Sequence, residues 1–139
     1  MGGCKMKHEQ LNSISMGKER VLLVDDEEFV ISAEQQMLER YFGYKVTALT
    51  SSVEALKVFR AEPYHFGLVI TDMIMPKMTG EILAKKLIAL RPDIPIILCT
   101  GYSECIIKNK AEEIGGAFLI KPFDLYEMGK AIRKVLHKD

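Results

Sequence analysis

With 139 residues and 48% apolar composition, the chain is long enough for one domain with a substantial buried core. Nineteen basic and nineteen acidic side chains cancel, and there is no tryptophan; both facts disfavour nucleic acid or a charged membrane surface as partner. The cysteines, Cys4, Cys99 and Cys105, are odd in number and show no CxxC or Cys/His spacing, which argues against a disulfide framework and a zinc site.

Residues 1–18 are polar and aperiodic and are predicted to be a flexible tail or linker. Their opening, Met1-Gly2-Gly3-Cys4-Lys5-Met6, has methionine where an acylation signal needs Ser or Thr. No apolar run approaches the roughly 20 residues of a membrane span. The expected location is the cytoplasm.

Folding is predicted to start near Arg20, so that residues 19–139 form the domain. Val21-Leu22-Leu23-Val24 is a continuous apolar run, as expected of a parallel strand buried on both faces. It runs into Asp25-Asp26-Glu27-Glu28, with Asp26 placed as N-cap of a helix. That helix carries Phe29, Val30, Ala33, Met37, Leu38, Tyr41 and Phe42 at helical spacing and closes at Gly43. Val46 and Ala48 mark a less apolar second strand, suited to an edge. Ser51 and Glu54 form a capping box for the second helix, which Pro63 ends. A third strand from Phe66 arrives at Asp72, before a loop bounded by Pro76 and Gly80. A helix then runs to Leu90, stopped by Arg91-Pro92. Pro95 to Cys99 is a fourth strand arriving at Thr100-Gly101. Glu104 to about Ile114 is helical, Ala117 to Ile120 is the fifth strand arriving at Lys121-Pro122, and Asp124 caps a last helix.

Strand and helix alternate five times with short connections. That pattern predicts an α/β fold, a single doubly wound parallel sheet with helices on both faces. In such sheets ligands bind beyond the carboxyl ends of the strands. The residues there are Asp25, Asp26, Asp72, Thr100 and Lys121. Three carboxylates at one sheet end repel by about 4 kcal/mol per pair at 4 Å and an effective dielectric of 20. They call for a cation or shared protons, and an all-oxygen, water-exposed set suits Mg²⁺. Lys121 can neutralise a carboxylate or a phosphoryl group, Thr100 offers a hydroxyl, and the amides of Met73 and Gly101 are further candidate donors. These are the parts of phosphoryl transfer.

Val21-Leu22-Leu23-Val24-Asp25-Asp26-Glu27, Thr71-Asp72-Met73-Ile74-Met75-Pro76 with Gly80, Cys99-Thr100-Gly101 and Ile120-Lys121-Pro122-Phe123 resemble the receiver domain of two-component response regulators over residues 19 to 137. Some of these residues look most like receivers attached to hybrid sensor histidine kinases. The resemblance implies a flavodoxin-like sheet of order 2-1-3-4-5 with five helices. It implies that Asp72 accepts a phosphoryl group from a phosphohistidine on a histidine kinase or histidine phosphotransfer domain. Asp25, Asp26, Asp72 and the backbone carbonyl of Ile74 would hold Mg²⁺, and Lys121 would contact the phosphoryl oxygens. The Lys121–Pro122 bond would be cis. Thr100 and Phe118 would be the switch pair, acting on the face of the fourth helix, fifth strand and fifth helix, with Ile106, Ile107, Ile114 and Met128 as candidate apolar residues there.

Phe118 lacks the hydroxyl that many receivers carry at that place, so its switching would report by packing alone. Ile74 and Tyr102 flank the attacking-water path and are poorly suited to orient a water, which predicts a long-lived acyl phosphate. The chain is read as a signalling module that turns over no external substrate, as a monomer or weak dimer with an unnamed downstream effector. Three other readings compete. An aspartyl-phosphate phosphatase needs a second Asp where Ile74 stands. A nucleotide or flavin binder needs a Gly-rich or hydroxyl-rich loop where Asp25-Asp26-Glu27-Glu28 stand. A constitutive docking platform fits poorly because no acidic, hydroxyl or lysine position is missing.

Overall fold

The computed structural model describes residues 19–101, 104–114 and 116–136, with the backbone alone for 104–107. The strands are β1 (Arg20–Val24), β2 (Lys45–Leu49), β3 (Leu68–Asp72), β4 (Ile96–Thr100) and β5 (Ala117–Ile120). The helices are α1 (Glu28–Phe42), α2 (Ser52–Ala61), α3 (Gly80–Leu90), α4 (Glu104–Glu113) and α5 (Leu125–Leu136). All strand pairs are parallel and the order is β2-β1-β3-β4-β5, as the alternation and the resemblance predict.

Side chains alternate across a strand, and the apolar runs feed two cores. Leu22, Val24, Val69 and Leu98 pack with Phe59, Leu83 and Leu87 from α2 and α3 on one face. Val21, Leu23, Ile70 and Ile97 pack with Leu38, Phe42, Met128 and Ile132 from α1 and α5 on the other. β2 lies at the edge, and its residues are only half-buried or exposed.

Local sequence sets several of the helix ends. Ser51 Oγ accepts the Glu54 N–H at 3.2 Å, and Thr79 Oγ1 accepts the Ile82 N–H at 3.3 Å. Asp124 and Glu127 exchange bonds at 2.8 and 2.9 Å, a reciprocal capping box before α5. Gly43 ends α1 at φ 72°.

Two features of α1 differ from the sequence reading. Its N-cap is Glu27, which makes no side-chain cap bond. Asp25 Oδ1 accepts the Glu27 N–H at 2.9 Å, and this turn delays the helix by one residue, so Asp26 is not the cap. The buried stripe is Ile31, Glu34, Leu38 and Phe42, while Phe29 is 95% exposed and Tyr41 is exposed. On α5, Leu125 is exposed and Met128 fully buried, so Met128 belongs to the core and not to an outer apolar face. The side chains of Ile106 and Ile107 lie outside the described residues.

Candidate functional site

β1 and β3 lie side by side, with Val24 in register with Thr71. Each strand therefore delivers its terminal acids to the same end of the sheet. Oxygens of Asp25, Asp26 and Asp72 lie within 4.8 Å of one another. β5 brings Lys121 to the same place, where the Lys121 N–H donates to the Thr100 carbonyl at 2.8 Å. Its Nζ donates to Asp25 Oδ2 at 2.6 Å and stands 3.3 Å from Asp72 Oδ1. The Lys121–Pro122 peptide bond is cis.

Asp25 is 1% exposed and Asp72 is partly buried. Burial pushes the Asp72 carboxyl above its ordinary range and Asp25 adds to this, against the opposing pull of Lys121 and the Met73 backbone. Burial draws the Lys121 ammonium down, but the hydrogen bond to Asp25 and the charges of Asp72, Asp25 and Glu34 outweigh it and hold it above the ordinary lysine value. The result is a cluster of three acids with one ammonium, short of positive charge. Two ionised carboxylates 4.8 Å apart repel by about 3 to 4 kcal/mol at an effective dielectric of 20. Oxygen-only donors at the open end of a sheet, with charge still to be neutralised, fit Mg²⁺. The three aspartates would hold it, and the chemistry it would supply there is charge neutralisation beside the Asp72 oxygens.

The loop after Asp72 is closed by backbone contacts. The Met78 N–H donates to the Pro76 carbonyl at 2.7 Å across Lys77, which sits at φ 70°. The Gly80 N–H donates to the Met73 carbonyl at 2.9 Å. A Cβ on Gly80 would stand 2.0 Å from the Asp72 carbonyl oxygen, so only glycine permits this approach of α3 to β3. The Met73 N–H donates to the Cys99 carbonyl at 2.8 Å. That amide is already engaged by the ladder and is not an idle donor for a ligand.

Thr100 ends β4, buried to 3% exposure, and Gly101 after it is exposed. Phe118 is half-buried, packs against the core beneath α2 and α3, and stands in register with Leu98. Ile74 is 53% exposed. Tyr102 lies outside the described residues.

Sequence reasoning missed Glu34. It is only 6% exposed on the inner face of α1 and lines a cavity of about 470 Å³ with Phe29, Val30, Met37, Lys121 and Pro122. Burial raises its carboxyl to about 7, with Lys121 opposing and Asp25 and Asp72 reinforcing. The available signal was spacing: positions 31, 34, 38 and 42 form one stripe, and one of them is charged.

A model of the response regulator receiver domain matches residues 21–133. The chain belongs to that family. It is 33% identical over 133 residues to sensor kinase CckA of Brucella abortus, an alignment covering 95% of this chain and 14% of the kinase. It is 31% identical over 118 residues to the response regulator receiver protein CpdR of the same organism, covering 84% of this chain and 96% of CpdR. The crystal structure of a receiver domain protein from Clostridium thermocellum superposes with a TM-score of 0.78 at 28% identity, covering 85% of this chain and 94% of that one. This receiver spans about half or less of the length of most of the curated relatives it matches. Receivers are signalling domains that gain and lose a phosphoryl group on themselves, bind Mg²⁺ at the active site, and interact with histidine kinases or phosphotransfer proteins. Among the described residues no helix is long and apolar enough to cross a membrane.

Proposed function

We propose that this receiver takes a phosphoryl group onto Asp72 from a phosphohistidine of a histidine kinase or histidine phosphotransfer domain. The observation that carries this reading is the meeting of Asp25, Asp26 and Asp72 within 4.8 Å, with Lys121 Nζ 3.3 Å from Asp72. In the transfer an Asp72 oxygen forms the new bond to phosphorus as the phosphorus–nitrogen bond breaks, and the electron pair stays on the imidazole. The developing charge spreads over the phosphoryl oxygens, where Lys121 is placed to neutralise it.

Asp25 and Asp26, with Asp72 and the carbonyl of Ile74, hold Mg²⁺ in this reading. Thr100 follows the phosphoryl group and Phe118 repacks behind it, which shifts a pre-existing equilibrium of the α4–β5–α5 face. With an apolar side chain at Ile74, the acyl phosphate is slow to hydrolyse. Residues 1–18 are a linker or tail, and the domain occupies 19–139 in the cytoplasm.

Intact mass after incubation with Mg²⁺ and acetyl phosphate tests the reading. The parent gains one phosphoryl group and Asp72→Asn gains none. Equal gain by both would place the acceptor elsewhere. No gain by the parent from either acetyl phosphate or a phosphohistidine protein would favour a docking platform.

A further inference from the structure

Glu34 is chemically out of place among Ile31, Leu38 and Phe42, the apolar members of its stripe. A glutamate at 6% exposure loses most of its hydration, a cost that a leucine would avoid. Among the described residues no hydrogen bond or ion pair reaches it; its interactions are the fields of Lys121, Asp25 and Asp72. It shares the cavity on α1 with Lys121 and Pro122.

Lys121 faces a conflict that Glu34 resolves. Its ammonium is held by Asp25 and Asp72, and both belong to the carboxylate group suited to a metal ion. A divalent cation takes those same oxygens and repels the ammonium, which then needs another counter-charge. Glu34 is outside that group of oxygens, so the ion does not compete for it. We propose that Glu34 is a positioning residue for Lys121: with Mg²⁺ in the cluster, it is the counter-charge to which the Lys121 ammonium turns from Asp25 and Asp72, leaving their oxygens to the ion. The inference rests on the receiver reading given above.

The test is a double-mutant cycle read by Mg²⁺ affinity in isothermal titration calorimetry at about pH 8, where the Glu34 carboxyl is ionised. The proteins are the parent, Glu34→Gln, Lys121→Met and the double variant, each first shown to unfold cooperatively. With Lys121 present, Glu34→Gln weakens Mg²⁺ binding about tenfold, because the ammonium then stays on Asp25 and Asp72 and competes. With Lys121→Met there is no ammonium to relocate, and the same substitution changes the affinity by less than about twofold. Glu34→Leu, which completes the apolar stripe, carries the same expectation should the glutamine variant fold poorly, and Glu34→Asp recovers part of the affinity. An equal loss with and without Lys121 would mark a general field or structural effect and overturn the proposal, as would no loss at all. A parent that binds no Mg²⁺ overturns the proposed function and this inference with it, a result that the Glu34 variants cannot imitate.

Discussion

A carboxyl that titrates near 7 in the folded chain and near 4.5 outside it ties stability to pH in a definite direction. Between those values the folded state holds the Glu34 proton more tightly than the unfolded chain does. Stability from this group is therefore complete below about pH 4.5 and is lost as pH rises to about 7, by about 3 kcal/mol in all. The raised Asp72 carboxyl acts in the same direction. Without Mg²⁺, the urea midpoint of the parent should fall between about pH 5 and about pH 8, and Glu34→Gln should show a shallower fall. Parallel curves for the two proteins would mean that Glu34 is solvated well enough to titrate normally.

At the scale of the element, the α3 N-terminus is what fixes the end of β3. A Cβ on Gly80 would meet the Asp72 carbonyl at 2.0 Å and the Met73 Cα at 2.9 Å, both backbone atoms with no flexible side chain to yield. Gly80→Ala should cost about 2 to 3 kcal/mol in urea unfolding and slow phosphoryl uptake, because α3 has to lift from β3. Gly101→Ala is the control: a Cβ there meets nothing within 4 Å, and its effect should stay within about 0.5 kcal/mol. Equal stability of the Gly80→Ala protein and the parent would show that the loop shifts freely. Elements were also where the sequence was most legible. Val21–Val24 and Ile96–Cys99 are apolar at every position because both faces of the sheet are covered, and such runs admit few other readings. The first helix was less legible, because its apolar residues form two adjacent stripes. Only the packing against β1 and α5 selects Ile31, Leu38 and Phe42 over Phe29 and Tyr41. That ambiguity hid Glu34, and the Asp25 turn moved the cap away from Asp26. The site acids were readable because the topology places every strand end at one rim, whereas the 2.6 Å pairing of Lys121 with Asp25 depends on geometry that no spacing encodes.

For the molecule as a whole, the acidic cluster stores repulsion that a bound ion would relieve. Among the described residues, the positive charge paired with these acids is Lys121, held by Asp25 and Asp72. An ion that binds only the folded cluster stabilises the chain by mass action, by about 2.7 kcal/mol at a concentration one hundred times its dissociation constant. For a domain of this size that corresponds to a rise in melting temperature of roughly 10 °C, and chelation should return the lower value. Asp72→Asn should behave in two ways that only a shared-site repulsion predicts together. Its metal-free melting temperature should lie above the parent's, because one buried negative charge is gone. Its gain on adding Mg²⁺ should shrink, because one ligand oxygen has become an amide. Differential scanning calorimetry with Mg²⁺ and with chelator reads both quantities on the same two proteins. A metal-free variant less stable than the parent would show that the Asp72 pairing with Lys121 outweighs its repulsion by Asp25 and Asp26. An undiminished Mg²⁺ gain would place the ion away from Asp72.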